Sequence, residues 1–92
     1  MSILVRFSPD HMTSQQYEEA DRQLREQGVW PPDGLELHAC FGNDGALRVS
    51  EIWASEEKMQ AFGGQLMPVL EKVGVKLGSP PEILPVVRFE TH

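Results

Sequence analysis

The sequence predicts an α+β fold of order β-α-β-β-α-β, with a four-stranded antiparallel sheet and both helices on one of its faces. Three observations predict it. The stretch GLELHACFGNDGALRVSEIWAS, residues 34–55, alternates apolar and polar residues on both sides of Asn43-Asp44-Gly45, the pattern of a hairpin. Segments with helical spacing stand before and after it, at 14–27 and 56–73. Short runs rich in β-branched and aromatic residues lie outside those, at 2–8 and 82–90.

The first strand, SILVRFS, is stopped by Pro9-Asp10. Ile3, Val5 and Phe7 lie on one face, with Leu4 and Arg6 on the other, so both faces need cover. Thr13 or Ser14 caps the first helix, and Gln16 follows Thr13 at capping-box spacing. Tyr17, Ala20, Leu24 and Gln27 recur at helical spacing, and Gly28 is a natural terminator. Residues 29–34, VWPPDG, form a Pro-stiffened connector. Trp30 within it is expected to cover one end of the core.

The central hairpin admits two registers. In the preferred one, a three-residue loop with Gly45 in the left-handed conformation puts Leu47, Val49, Glu51 and Trp53 on the face of Leu37, Ala39 and Phe41. His38 and Cys40 then share the other face with Arg48, Ser50 and Ile52. A two-residue Asp-Gly turn shifts the pairing by one and sets His38 opposite Glu51.

Ser55 caps the second helix, with Glu56 and Glu57 in its first turn. Gly63-Gly64 and Pro68 predict a break, so the expected course is a helix over 56–62 and a second segment to 73, ended by Gly74. Met59 and Met67 are expected to fill gaps in the core. Gly78-Ser79-Pro80-Pro81 leads into the last strand, 82–90, where Pro85 dictates an edge position or exchange with a partner.

Ninety-two residues suit one domain spanning the whole chain, with a modest core. The net charge of −6 and the scatter of the eight Lys and Arg residues argue against nucleic acid and anionic membrane as partners. The single cysteine fits a reducing, cytoplasmic setting. The apolar run at 3–5 is too short for a secretory leader, and nothing approaches the ~20 apolar residues of a membrane span. There is no phosphate loop, metal-ligand spacing or nucleophile elbow. His11 and His92 are too isolated to suggest a metal site.

The element order is that of the ferredoxin-like fold. Its second sheet face, carrying Leu4, Ile52, Leu84 and Val86, is too apolar to leave in water, which predicts a homodimer. On this order, and on the hairpin PPDGLELHACFGNDGALRVSEIWAS with the helix opening EEKMQAF, the chain resembles the dimeric α/β-barrel superfamily over nearly its whole length. It is most similar to the antibiotic-biosynthesis-monooxygenase-like members. The resemblance implies two sheets closing into a barrel between subunits. Members of that superfamily include cofactor-free monooxygenases on aromatic polyketides, haem-degrading enzymes, lactone isomerases and proteins with no known activity. Trp53 matches a strand-three tryptophan that oxygenase members place in their cavity. The haem-degrading pattern asks for Asn on the first strand and His on the second helix, and this chain has neither.

Five residues are the candidates for a site. His38 is the only histidine within an element and the natural general base. Glu51, an acid in a buried strand, needs a partner, either in catalysis or in a salt bridge to Arg6 or Arg88. Trp53, Tyr17 and Phe62 are the expected substrate-binding residues. Cys40 is expected to be a small buried hydrophobe, since nucleophilic work would need a base beside it. The function that follows is a cofactor-independent monooxygenase, or an isomerase or cyclase, acting on a small apolar or aromatic metabolite without cofactor or metal. The alternative is a non-catalytic homodimer that binds a ligand or a protein.

Overall fold

A computed structural model describes residues 1–92. The elements form in the expected order: β1 (Ile3–Phe7), α1 (Ser14–Glu26), β2 (Leu35–Phe41), β3 (Arg48–Trp53), α2 (Glu56–Val73) and β4 (Glu82–Pro85). The strands make one antiparallel sheet in the order β2-β3-β1-β4, with both helices on one face: a ferredoxin-like α+β fold. No helix is long and apolar enough to cross a membrane.

Local chemistry explains the start of each helix. The Thr13 hydroxyl accepts from the Gln16 amide while the Gln16 side chain accepts from the Thr13 amide, a complete capping box at α1. Ser55 accepts from the Lys58 amide at the start of α2. Gly74 ends α2 in the left-handed conformation, φ 82°.

Helix α2 runs unbroken through Gly63, Gly64 and Pro68, where the sequence predicts an interruption. Pro68 costs the helix about 3 kcal/mol, through a lost donor and a crowded carbonyl, and the two glycines about 1 kcal/mol each. Against that stands burial of Phe62, Val69 and Leu70, each worth roughly 1.5–3 kcal/mol, so tertiary packing outweighs local propensity.

The hairpin adopts the shifted register, not the preferred one. His38 pairs with Glu51, Cys40 with Val49 and Phe41 with Arg48. The Ala46 amide donates to the Asn43 carbonyl at 2.8 Å, closing a two-residue Asp44-Gly45 turn with Gly45 at φ 85°. Contacts with the rest of the fold hold that turn. The Asp44 carboxylate accepts from the Ser14 amide at 2.7 Å, and the Leu47 amide donates to the Met12 carbonyl at 3.2 Å.

A bulge between Leu35 and Leu37 then changes the facing of β2. Leu35 packs against the core, whereas Leu37, Ala39 and Phe41 face away from the helices. The core face therefore holds Val5, Val49, Glu51 and Trp53 together with His38 and Cys40. The open face holds Leu4, Arg6, Leu37, Ala39, Phe41, Ser50, Ile52 and Leu84.

Strand β4 is shorter than predicted, ending at Pro85 instead of 90. It does lie at the sheet edge, as a proline requires. One further bond joins the Val86 amide to the Ser2 carbonyl, and beyond it Val87 is 99% exposed. The core joins Val5, Val49 and Trp53 of the sheet to Ala20 and Leu24 of α1 and Phe62, Val69 and Leu70 of α2.

A Cβ at Gly63 or Gly64 would meet nothing within 4 Å, and neither residue has positive φ. Gly63→Ala and Gly64→Ala should each raise stability by about 0.5–1 kcal/mol. Chemical denaturation measures this, and a loss of stability in either variant would contradict the continuous helix.

Candidate active site

Four side chains from three elements form one hydrogen-bonded chain on the core face. His38 on β2 and Glu51 on β3 are direct cross-strand partners, and their Nδ1 and Oε2 atoms lie 2.6 Å apart. The other Glu51 oxygen accepts from the Trp53 indole N–H at 3.0 Å. Tyr17, on the inward face of α1, brings its hydroxyl to 2.6 Å from His38 Nε2. Trp30 stands edge-on to the imidazole, ring centres 4.9 Å apart, and Phe62 packs on Trp30 and Trp53.

Proton positions follow from the donor inventory. An ionised carboxylate only accepts, so His38 Nδ1 carries the hydrogen that Glu51 receives. With His38 neutral, the lone pair lies on Nε2 and Tyr17 is the donor of that bond. The chain runs in one sense, from the Tyr17 hydroxyl to the imidazole to the carboxylate. Its order matches a nucleophile–histidine–acid triad, with a phenol in the first place.

Burial makes this arrangement consequential. Glu51 is 4% exposed, and a buried carboxyl group needs hydrogen bonds in place of its water; His38 and Trp53 supply them. The salt bridge considered for Glu51 does not form. Arg6 lies on the open face and approaches Glu82 at 3.6 Å, while Arg88 approaches Glu90 at 3.7 Å. Burial pushes the Tyr17 phenol up to about 12, helped by the negative fields of Cys40, Asp21, Glu18 and Glu51, so its proton is held at neutral pH. Burial and Glu18 also raise the Cys40 thiol. Cys40 makes no hydrogen bond to His38, whose two nitrogens are both engaged, and it has no base to activate it.

The chain opens on a cavity of about 70 Å³ between sheet and helices. Tyr17, His38, Glu51 and Phe62 line it, with Trp30, Leu66, Leu70 and other apolar side chains. Trp53 does not line it. The tryptophan sits fully buried behind Glu51, a supporting position in place of the expected place in the wall. Trp30, expected only to cover the core, is a wall residue. No sequence signal separated those roles, because the fold of the connector decides them. No Lys or Arg lines the cavity, and Asp21 is its further acid. No group of three or more His, Cys, Asp or Glu side chains is placed to hold a metal ion.

No protein-family model and no curated protein matches the sequence. Solved structures do match in fold. SnoaB, a cofactor-independent oxygenase from Streptomyces nogalater, superposes with TM-score 0.62 at 12% identity, covering 96% of this chain and 93% of that one. An antibiotic-biosynthesis-monooxygenase-like protein from Deinococcus radiodurans gives 0.51 at 17% identity, covering 100% and 96%. The haem-degrader MhuD from Mycobacterium tuberculosis, solved with two haems bound, gives 0.51 at 14% identity, covering 99% and 100%. At such identities the likeness establishes the ferredoxin-like fold.

The residues present do not fit haem. Both His38 nitrogens are committed, the cavity is far below the ~300–1,000 Å³ of pockets for drug-sized ligands, and no cation in its wall would meet a propionate.

Tyr17 is the only tyrosine, so tyrosinate absorbance reports this site alone. The midpoint should lie near 12 in the folded protein and return to the ordinary 10.0 in denaturant. Because the folded value is the higher, the contribution to stability is full below pH 10 and is lost as pH rises toward 12. A folded-state midpoint at the ordinary value would contradict the buried, hydrogen-bonded phenol.

Proposed function

We propose that this protein is a cofactor-independent enzyme that begins its reaction by removing a proton from a small, neutral, largely apolar substrate. The observation that carries this reading is the hydrogen-bonded chain Tyr17–His38–Glu51 at the edge of the cavity, with His38 Nδ1 2.6 Å from Glu51 Oε2. In this reading His38 is the base and Glu51 fixes its tautomer and balances the imidazolium that forms. Trp53 holds Glu51, and Tyr17 and Phe62 bound the substrate space.

Two reactions fit such a start. An enolate can be reprotonated elsewhere, which is isomerisation. An activated CH2 can instead react with O2, the substrate supplying the electrons, to give C=O and water. The fold shared with an oxygenase described as cofactor-independent is compatible with the second. The volume of about 70 Å³ favours a substrate of at most one ring unless the wall moves.

That small volume also supports a second reading, a non-catalytic homodimer that binds a small ligand. One measurement separates the two. A panel of phenols, enolisable ketones and lactones is screened for turnover and oxygen uptake. In the enzyme reading His38→Ala lowers the rate by about 10²–10⁴-fold. Binding without turnover by the native protein would select the second reading.

Both readings place the protein in a homodimer joined through the open sheet face. Leu4, Leu37, Ala39 and Ile52 lie there with Phe41, 44% exposed, and Leu84, 41% exposed. An apolar face of this kind is normally covered. Leu84→Glu should leave the fold intact and shift a dimer to monomer in sedimentation. A native protein that sediments as a monomer would remove this part of the proposal.

A further inference from the structure

His38 has no lone pair free to face a substrate. Its Nδ1–H is given to Glu51, and its Nε2 is capped by the Tyr17 hydroxyl at 2.6 Å. A base in that state accepts a substrate proton only if Tyr17 leaves or if Tyr17 passes the proton on. The Tyr17 ring is fixed on α1 among the cavity walls and lies 14° from the imidazole plane. Its O–H donates to Nε2 while the oxygen keeps its lone pairs, and a hydroxyl so polarised is a better acceptor.

Resting on the reading of His38 as a base, we infer that Tyr17 is the residue that touches the substrate and relays its proton to His38. The substrate C–H or O–H proton moves to Tyr17 Oη as the tyrosine's own proton moves to Nε2. The bonding pair left on the substrate becomes its enolate or phenolate. Tyrosine stays a neutral phenol before and after, and His38 becomes an imidazolium facing Glu51. No oxidant or reductant takes part in this step, and reversal returns the proton.

A transient tyrosinate would be disfavoured here. Burial and the negative charges of Asp21, Glu18 and Glu51 oppose it, so the two transfers must be concerted. The same surroundings select the substrate. With no Lys or Arg in the wall to pair an anion, a neutral carbon acid or hydroxyl compound is accepted in preference to a carboxylate or phosphate.

The probe is cyclohex-3-enone, a small neutral carbon acid, followed in D2O by NMR for α-deuterium incorporation and conjugation. The native protein should exchange it faster than buffer, and His38→Ala should fall to the buffer rate. Tyr17→Phe should lose about 100-fold or more, with the low-field Nδ1 proton of His38 unchanged. Because Tyr17 is the only tyrosine, biosynthetic 3-fluorotyrosine alters this position alone, and it should change kcat and leave KM unchanged.

Other outcomes decide against the relay. Exchange by Tyr17→Phe at the native rate or above would mean that His38 takes the proton directly, and the base reading would stand. Loss of the Nδ1 signal in Tyr17→Phe would make Tyr17 a positioning residue. A native protein no faster than buffer would overturn the base reading and the relay together.

Discussion

A carboxylate sits where the fold has almost no water, and much of the site's geometry answers to it. Glu51 is on the third strand, facing the helices, with Val5 of the first strand as one cross-strand neighbour and His38 of the second as the other. Each of its oxygens receives one hydrogen bond, from His38 and from the Trp53 indole. Removing the carboxylate would leave two buried donors without a partner, at about 1–3 kcal/mol each. Glu51 therefore fixes the histidine tautomer, and the tautomer fixes the direction of the tyrosine bond. One buried acid orders three other side chains.

The sheet shows why that charge can be where it is. Its helix-facing side holds the chain among apolar side chains of the core and cavity wall, Val5, Val49, Phe62, Trp30, Leu24 and Leu70. Water exclusion raises the strength of each bond in the network. The opposite side carries the apolar Leu4, Ile52 and Leu84 beside the polar Arg6, Ser50 and Glu82, so apolar residues stand on both faces of the sheet and the helices cover one of them. The relatives in fold, at 12–17% identity, share this framework, whereas the site depends on which side chains happen to project from it.

Much of the fold was legible in the amino-acid order because its signals are local. The Thr13–Gln16 capping box, the Ser55 cap, Gly74 as a helix end and Pro85 as the mark of an edge strand each act within a few residues, and each operates as read. Hydrophobic periodicity set the order of elements for the same reason. Local signals failed where distant packing was stronger. Gly63, Gly64 and Pro68 argue for a break in the second helix, yet burial of Phe62, Val69 and Leu70 on the sheet holds it continuous.

The site divides along the same line. The sequence by itself determined its chemistry: one histidine in a strand, one acid in a buried strand, one tyrosine on the inner face of a helix. Only the tertiary structure decided that they meet. Asn43-Asp44-Gly45 supports two turns of similar local energy, and a shift of one residue would have put His38 and Glu51 on opposite faces. Asp44 bonded to the Ser14 amide and Leu47 bonded to the Met12 carbonyl hold the turn whose register joins them. Both are interactions between segments far apart in the chain, which no local pattern of residues encodes.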